Sequence, residues 1–114
     1  MAFIEKLPQA KVLDLKQEVP VEEEQILSKT LVQREDLGMT IFSLDTAEEI
    51  PVHTAPGDAM VNVLSGVALI TIAEQKYLVK AGETIVMPAN VPHALYAKEA
   101  FQMLLVVVKP EVNQ

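Results

Sequence analysis

The chain of 114 residues has no cysteine and no tryptophan, and it holds only two histidines and four glycines. Without cysteine there is no disulfide and no thiolate-held zinc or iron–sulfur centre, and nothing argues for secretion. Positive charge is also scarce. Nine Lys and Arg face sixteen Asp and Glu, for a formal charge of −7, and an acidic surface repels phosphate backbones, so no nucleic-acid partner is expected. The acidic run Glu22-Glu23-Glu24 reads as a solvated turn. Long apolar runs are missing too. The longest, Met103 to Val108, falls far short of the roughly 20 residues a spanning helix needs. Glu5 and Pro8 interrupt the N-terminus where a signal peptide would need an unbroken apolar stretch. A cytoplasmic protein with no membrane partner is expected. No phosphate-binding glycine motif is present. Ser43 and Ser65 lack the histidine–acid context of a nucleophile.

Half the residues are hydrophobic, which gives a chain of this length one core and one domain, 1–114. The pattern is that of strands. Val12–Leu15 reads as a short edge strand. Ile26–Val32, Met39–Leu44, Met60–Leu64, Val67–Ile72, Lys76–Val79, Thr84–Met87, His93–Ala97 and Phe101–Val108 follow, the last apolar enough to be buried on both faces. Gly38, Ser65-Gly66 and Lys80-Ala81-Gly82 read as turns. Ala73-Glu74-Gln75 lacks glycine and asparagine, which predicts a loop of three or more residues rather than a two-residue turn. Phe3, Ile4 and Leu7 fit one face of a short helix ending near Pro8, or an arm that packs on a partner subunit. Short strands at regular spacing indicate an all-β sandwich or barrel, with its core at about 25–109 and residues 1–24 as an edge strand or dimer arm.

The stretch from His53 to His93 contains both histidines, one at each end, and Gly57, Gly66 and Gly82 between them. Its segments HTAPGDAMVNVLSG and GETIVMPANVPHALYA resemble the two motifs of the cupins. The first cupin motif is an H-x-H pair followed by a glutamate and a glycine; the second is G-x5-P-x-G-x2-H-x3-N. Gly66, Gly82, Pro88 and His93 fall at the expected offsets, and the resemblance covers roughly residues 40–108. It implies a single jelly-roll barrel, the double-stranded β-helix of the family, with His53 and His93 on neighbouring strands pointing inward at one mouth. It also implies homodimers, here expected through the N-terminal strands, and a divalent transition metal (Zn, Fe, Mn or Ni) at the mouth.

The departures from the motif bear on that metal. Ala55 stands for the second histidine, Ala59 or Met60 for the glutamate, Asn90 for a glycine and Ala97 for the closing asparagine. Asn90 tolerates left-handed geometry, so that turn survives. Of the four usual ligands only His53 and His93 remain. A third would have to come from Asp58, Gln102, Tyr96, Asn90 or Glu49. The leading expectation is therefore a small-molecule site in the barrel mouth with a degenerate two-histidine metal site. Ala55, Ala59, Val61, Met87, Tyr96, Gln102 and Met103 are the candidate lining. The alternatives are a metal-dependent enzyme, such as a dioxygenase or isomerase using the two histidines, and a non-enzymatic dimeric sensor.

Overall fold

Apolar–polar alternation dominates from Ile26 onward, and the chain answers it with strands. A computed structural model describes residues 2–110; Met1 and 111–114 of the expected domain lie outside the described residues. Seven strands make up the fold: β1 (Ile26–Gln33), β2 (Leu37–Leu44), β3 (Glu49–His53), β4 (Asp58–Ile72), β5 (Gln75–Lys80), β6 (Thr84–Met87) and β7 (His93–Val108). All pairings are antiparallel, in the order β1-β2-β7-β4-β5, with β3 added to β7 and β6 to β4. The protein is all-β apart from one 3-10 turn, Leu15–Gln17. Among the described residues no helix is long and apolar enough to cross a membrane.

Two long strands close the barrel. The first half of β4 pairs with β6 and its second half with β5, while β7 runs beside both halves. Sequence reading expects two strands in each of these stretches. In β4 the expected turn at Ser65-Gly66 is instead a bulge within one strand, where the register against β7 shifts between Val63 and Ala68. The shift changes phase: Ala59, Val61 and Val63 point into the core before it, Ala68 and Ile70 after it. A curling sheet thus keeps one face inward. Gly66 is obligatory there, since its φ is +76° and a Cβ would sit 1.9 Å from the Ala100 carbonyl oxygen. In β7 the polar Lys98-Glu99 lies within the strand rather than in a loop.

The barrel interior is one cluster built on Phe101, Leu44, Val61, Ile70, Met103 and their neighbours, all buried. Each fully buried side chain of this size contributes about 1.5–3 kcal/mol. A second cluster lies on the outer face of β1, β2 and β7, where the N-terminal segment folds across the sheet as a strap. Leu7, Leu15 and Val19 of the strap cover Leu31, Val32, Ile41 and Leu104. Polar anchors fasten it. Gln102 donates through Nε2 to the carbonyls of Lys16 and Val19, the latter at 2.9 Å, and its Oε1 accepts from the Ser65 hydroxyl at 2.8 Å. The Ser43 hydroxyl donates to the Pro20 carbonyl at 3.2 Å, and Lys29 pairs with Glu18 at 2.8 Å.

Several local expectations change. Val12–Leu15 is not a strand. Val12 is 98% exposed, and the Asp14 side chain instead accepts from the Lys16 amide to start the 3-10 turn. Residues 2–10 form bends rather than a helix, because only Leu7 finds apolar cover while Phe3 stays exposed. Gly38 is a strand residue without positive φ. The β4–β5 hairpin turns on two residues, Ala73-Glu74, with Ile72 paired to Gln75. Ala73 takes φ +55° to allow it, so an alanine accepts a strained geometry where glycine or asparagine is usual.

Candidate functional site

β3 is short and pairs only with β7, and this edge position tolerates Pro51 in mid-strand. The register slips between Ile50 and His53, which sets His53 opposite His93, the first residue of β7. Each imidazole is aimed by a carbonyl two residues earlier. Nδ1 of His53 lies 2.9 Å from the Pro51 oxygen, and Nδ1 of His93 lies 3.1 Å from the Val91 oxygen. A carbonyl only accepts, so both Nδ1 atoms donate, and each neutral ring presents an Nε2 lone pair. The two Nε2 atoms face one another at 3.1 Å, with ring centroids 4.3 Å apart and planes at 72°.

The rings differ in setting. His93 is 3% exposed, whereas His53 is exposed at the rim with its Nε2 turned toward His93. Burial pushes the His93 pKa down. The Val91 hydrogen bond opposes that shift, and the nearby His53 adds to it. His93 is therefore neutral at physiological pH.

Behind the pair lies a cavity of about 230 Å³. Ile50, His53 and Ala55 line it from β3 and the loop that follows, Ala59 from β4, and Met87 from the end of β6. His93, Leu95, Met103, Leu105 and Val107 come from β7, and Ile26 and Phe42 from β1 and β2. Among the described residues, the histidines are the only polar side chains in that lining. Ile26 and His53 are its exposed members, so the mouth opens between the start of β1 and the end of β3.

The expected lining is thus partly assembled. Ala55, Ala59, Met87 and Met103 line the cavity beside both histidines, whereas Val61, Tyr96 and Gln102 do not. Val61 has the inward phase but is fully buried in the core beyond the cavity. Tyr96 lies one residue out of phase on β7 and lines an open cleft on the outer surface with Glu49, Leu69 and Lys76. Gln102 is also out of phase, and it holds the strap. Sequence reasoning missed Ile26, Phe42, Ile50, Leu95, Leu105 and Val107. The odd–even phase of β7, counted from His93, was the available signal for three of them.

The candidate third ligands are all placed elsewhere or engaged. Asp58 Oδ1 accepts from the Ala89 amide at 2.8 Å. Asn90, at φ +63°, keeps the expected left-handed turn, its backbone N–H donating to the Ala55 carbonyl at 2.8 Å, and it lies exposed outside the cavity lining. Glu49 belongs to the outer cleft with Tyr96, and Gln102 to the strap. Among the described residues no set of three His, Cys, Asp or Glu comes together. The 3.1 Å separation suits two neighbouring positions on an ion bound at about 2.1 Å, but catalytic zinc takes three protein ligands and structural zinc four. Non-heme iron adds a carboxylate to two histidines. The remaining neighbours in the cavity are carbon and thioether. This donor set does not fit a metal held by the protein alone.

The model of the cupin domain matches residues 40–109, a stretch that contains both histidine-bearing segments and every strand from β3 to β7. The chain belongs to the cupin family. This cupin is similar over most of its length to solved structures. A conserved protein of unknown function from Streptococcus pyogenes is 64% identical, with 98% of each chain covered and a TM-score of 0.96. A cupin superfamily protein from Desulfitobacterium hafniense is 29% identical over 96% of this chain and 100% of its own, with a TM-score of 0.90. A Cupin 2 conserved barrel domain protein from Leptotrichia buccalis is 44% identical over 85% of this chain and 47% of its own, with a TM-score of 0.83. No curated protein matches the chain.

Proposed function

We propose that this cupin binds a small, largely apolar molecule in the cavity behind His53 and His93, without a resident metal. One observation carries the reading: the cavity walls are carbon and sulfur except at the mouth, where two convergent ring nitrogens stand. An apolar pocket with few polar groups that fix orientation is the usual form of a small-molecule site. Ala55 and Ala59, where the family motif carries a histidine and a glutamate, leave the room that a metal and its ligands would otherwise fill.

Uptake of a plain apolar reporter tests this. Toluene is expected to raise the Tm of the parent, because a ligand bound only by the folded state stabilises it by mass action. It is expected to leave Ala59→Leu unmoved. Equal shifts in both proteins, or none in the parent, count against a binding cavity.

Self-association is part of the proposal. Phe3 and Val12 of the N-terminal segment, the expected dimer arm, are exposed apolar side chains that a second copy would cover. Elution as a monomer at micromolar concentration is the contrary result.

A further inference from the structure

The two histidines also restrict the chemistry of the ligand. Both Nδ1 protons are committed to the Pro51 and Val91 carbonyls. The polar end of the cavity therefore offers two acceptors and no donor. The two Nε2 atoms lie 3.1 Å apart, and among the described residues no other lining side chain can donate to them. On the rim, the Ala55 carbonyl is already used by the Asn90 backbone N–H. We infer that the site takes an apolar molecule with one neutral protic head, a phenol or alcohol, whose hydroxyl lies at the mouth and donates to the histidine pair. This rests on the cavity being a binding site, as proposed above.

The chemistry excludes as well as selects. A carboxylate brings only acceptors and would meet two more. An ether of the same shape fills the same volume without a donor for the buried His93 ring. A site built around a hydrogen bond discriminates strongly against the analogue that lacks it. The body is small. A dry cavity of about 150 Å³ admits benzene, so about 230 Å³ holds a body of roughly nine non-hydrogen atoms by the same scaling.

Four probes of about eight to eleven non-hydrogen atoms test the inference: 4-ethylphenol, 4-ethylanisole, ethylbenzene and 3-phenylpropionate. Binding is measured by calorimetry at pH 8 on chelator-treated protein, the parent beside His53→Phe and the double variant His53→Phe/His93→Phe. 4-Ethylphenol is expected to bind at least tenfold more tightly than 4-ethylanisole or ethylbenzene. 3-Phenylpropionate is expected to bind most weakly. The phenol preference should shrink in His53→Phe and vanish in the double variant, while ethylbenzene binding persists and reports an intact cavity. Should the double variant not fold, the single variant still carries the comparison. Equal binding of phenol and ether overturns the protic-head assignment but leaves the cavity reading standing. Tighter binding of 3-phenylpropionate than of the phenol overturns it by showing that the pair donates. A phenol preference present only before chelation overturns it in favour of a metal. Failure of all four probes removes the cavity reading itself.

Discussion

Strand β7 separates two regions that its alternate residues serve in opposite ways. Met103, Leu105 and Val107 look into the barrel, and Gln102 and Leu104 look out under the strap. The outer region is filled. Its apolar side chains interlock, Gln102 and Ser43 find partners, and no buried side-chain polar atom in the described residues is left without one. The inner region keeps an open space and leaves two ring nitrogens facing each other. Evolution of a site in a small fold requires such slack, because a fully packed interior at ordinary protein density admits nothing. The comparison assigns stability to the strap side and adaptability to the cavity side.

Substitutions can break that division. The largest effect is expected at the bulge that lets β4 wrap both regions. Gly66→Ala must move the Ala100 backbone or abandon φ +76°, so a loss of about 3 kcal/mol or more is expected in urea unfolding, with failure to fold as its extreme. A substitution within about 0.5 kcal/mol of the parent would show that the bulge relaxes freely. Next comes the strap. Gln102→Ala leaves the Val19 carbonyl and the Ser65 hydroxyl without their partner. A loss of about 2 kcal/mol is expected, together with faster proteolysis near residues 15–20. Stability unchanged and protease resistance intact would place the strap's hold in its leucines instead.

The cavity side should respond with the opposite sign. Ala59→Leu adds carbon to empty space and is expected to gain about 1 kcal/mol, read as a higher urea midpoint, at the expense of ligand uptake. A loss of stability there would mean that the space is already filled by its own side chains.

The smallest effect is a pH dependence confined to the inner region. His93 has its pKa lowered in the folded state, so the unfolded chain binds the proton more tightly. The contribution is complete above the ordinary histidine pKa of about 6.5 and is lost as pH falls through the lower folded value. Stability of the parent should therefore decline on acidification from pH 7.5 toward 5.5, and this component should be absent in His93→Phe. Parallel curves for the two proteins would assign the decline to carboxylates.

The sequence made the fold legible because glycine and proline mark the same backbone events wherever a barrel curls. It was ambiguous about what kind of event each one marks. Ser65-Gly66 has the composition of a turn, yet a bulge uses the same positive φ, and only pairing with β7 separates the two. The two histidines were legible because their offsets identify neighbouring strand ends. The rest of the site was not, for a reason peculiar to β2 and β7. Both strands are buried on both faces, so MTIFSL and FQMLLVVV carry little polar–apolar contrast to say which residues turn inward. Phe42 was missed and Gln102 assigned to the wrong face for that reason, whereas Leu105 and Tyr96 could have been placed by counting alternate residues from His93.

The ties between the loops have a kinetic consequence. Asp58 holds the Ala89 amide, Asn90 holds the Ala55 carbonyl, and the Ala73 amide reaches Pro92. The loops that follow β3 and precede β7 are thereby stapled into one rim, and His53 and His93 ride on it together. On the proposed function, a molecule exchanging with the cavity would not wait for a lid to swing. It passes the side chains at the mouth, chiefly Ile26, whose rotamers change in picoseconds to nanoseconds rather than the microseconds to milliseconds of loop opening. Residence time in such a barrel is set by the contacts inside it and not by a gate.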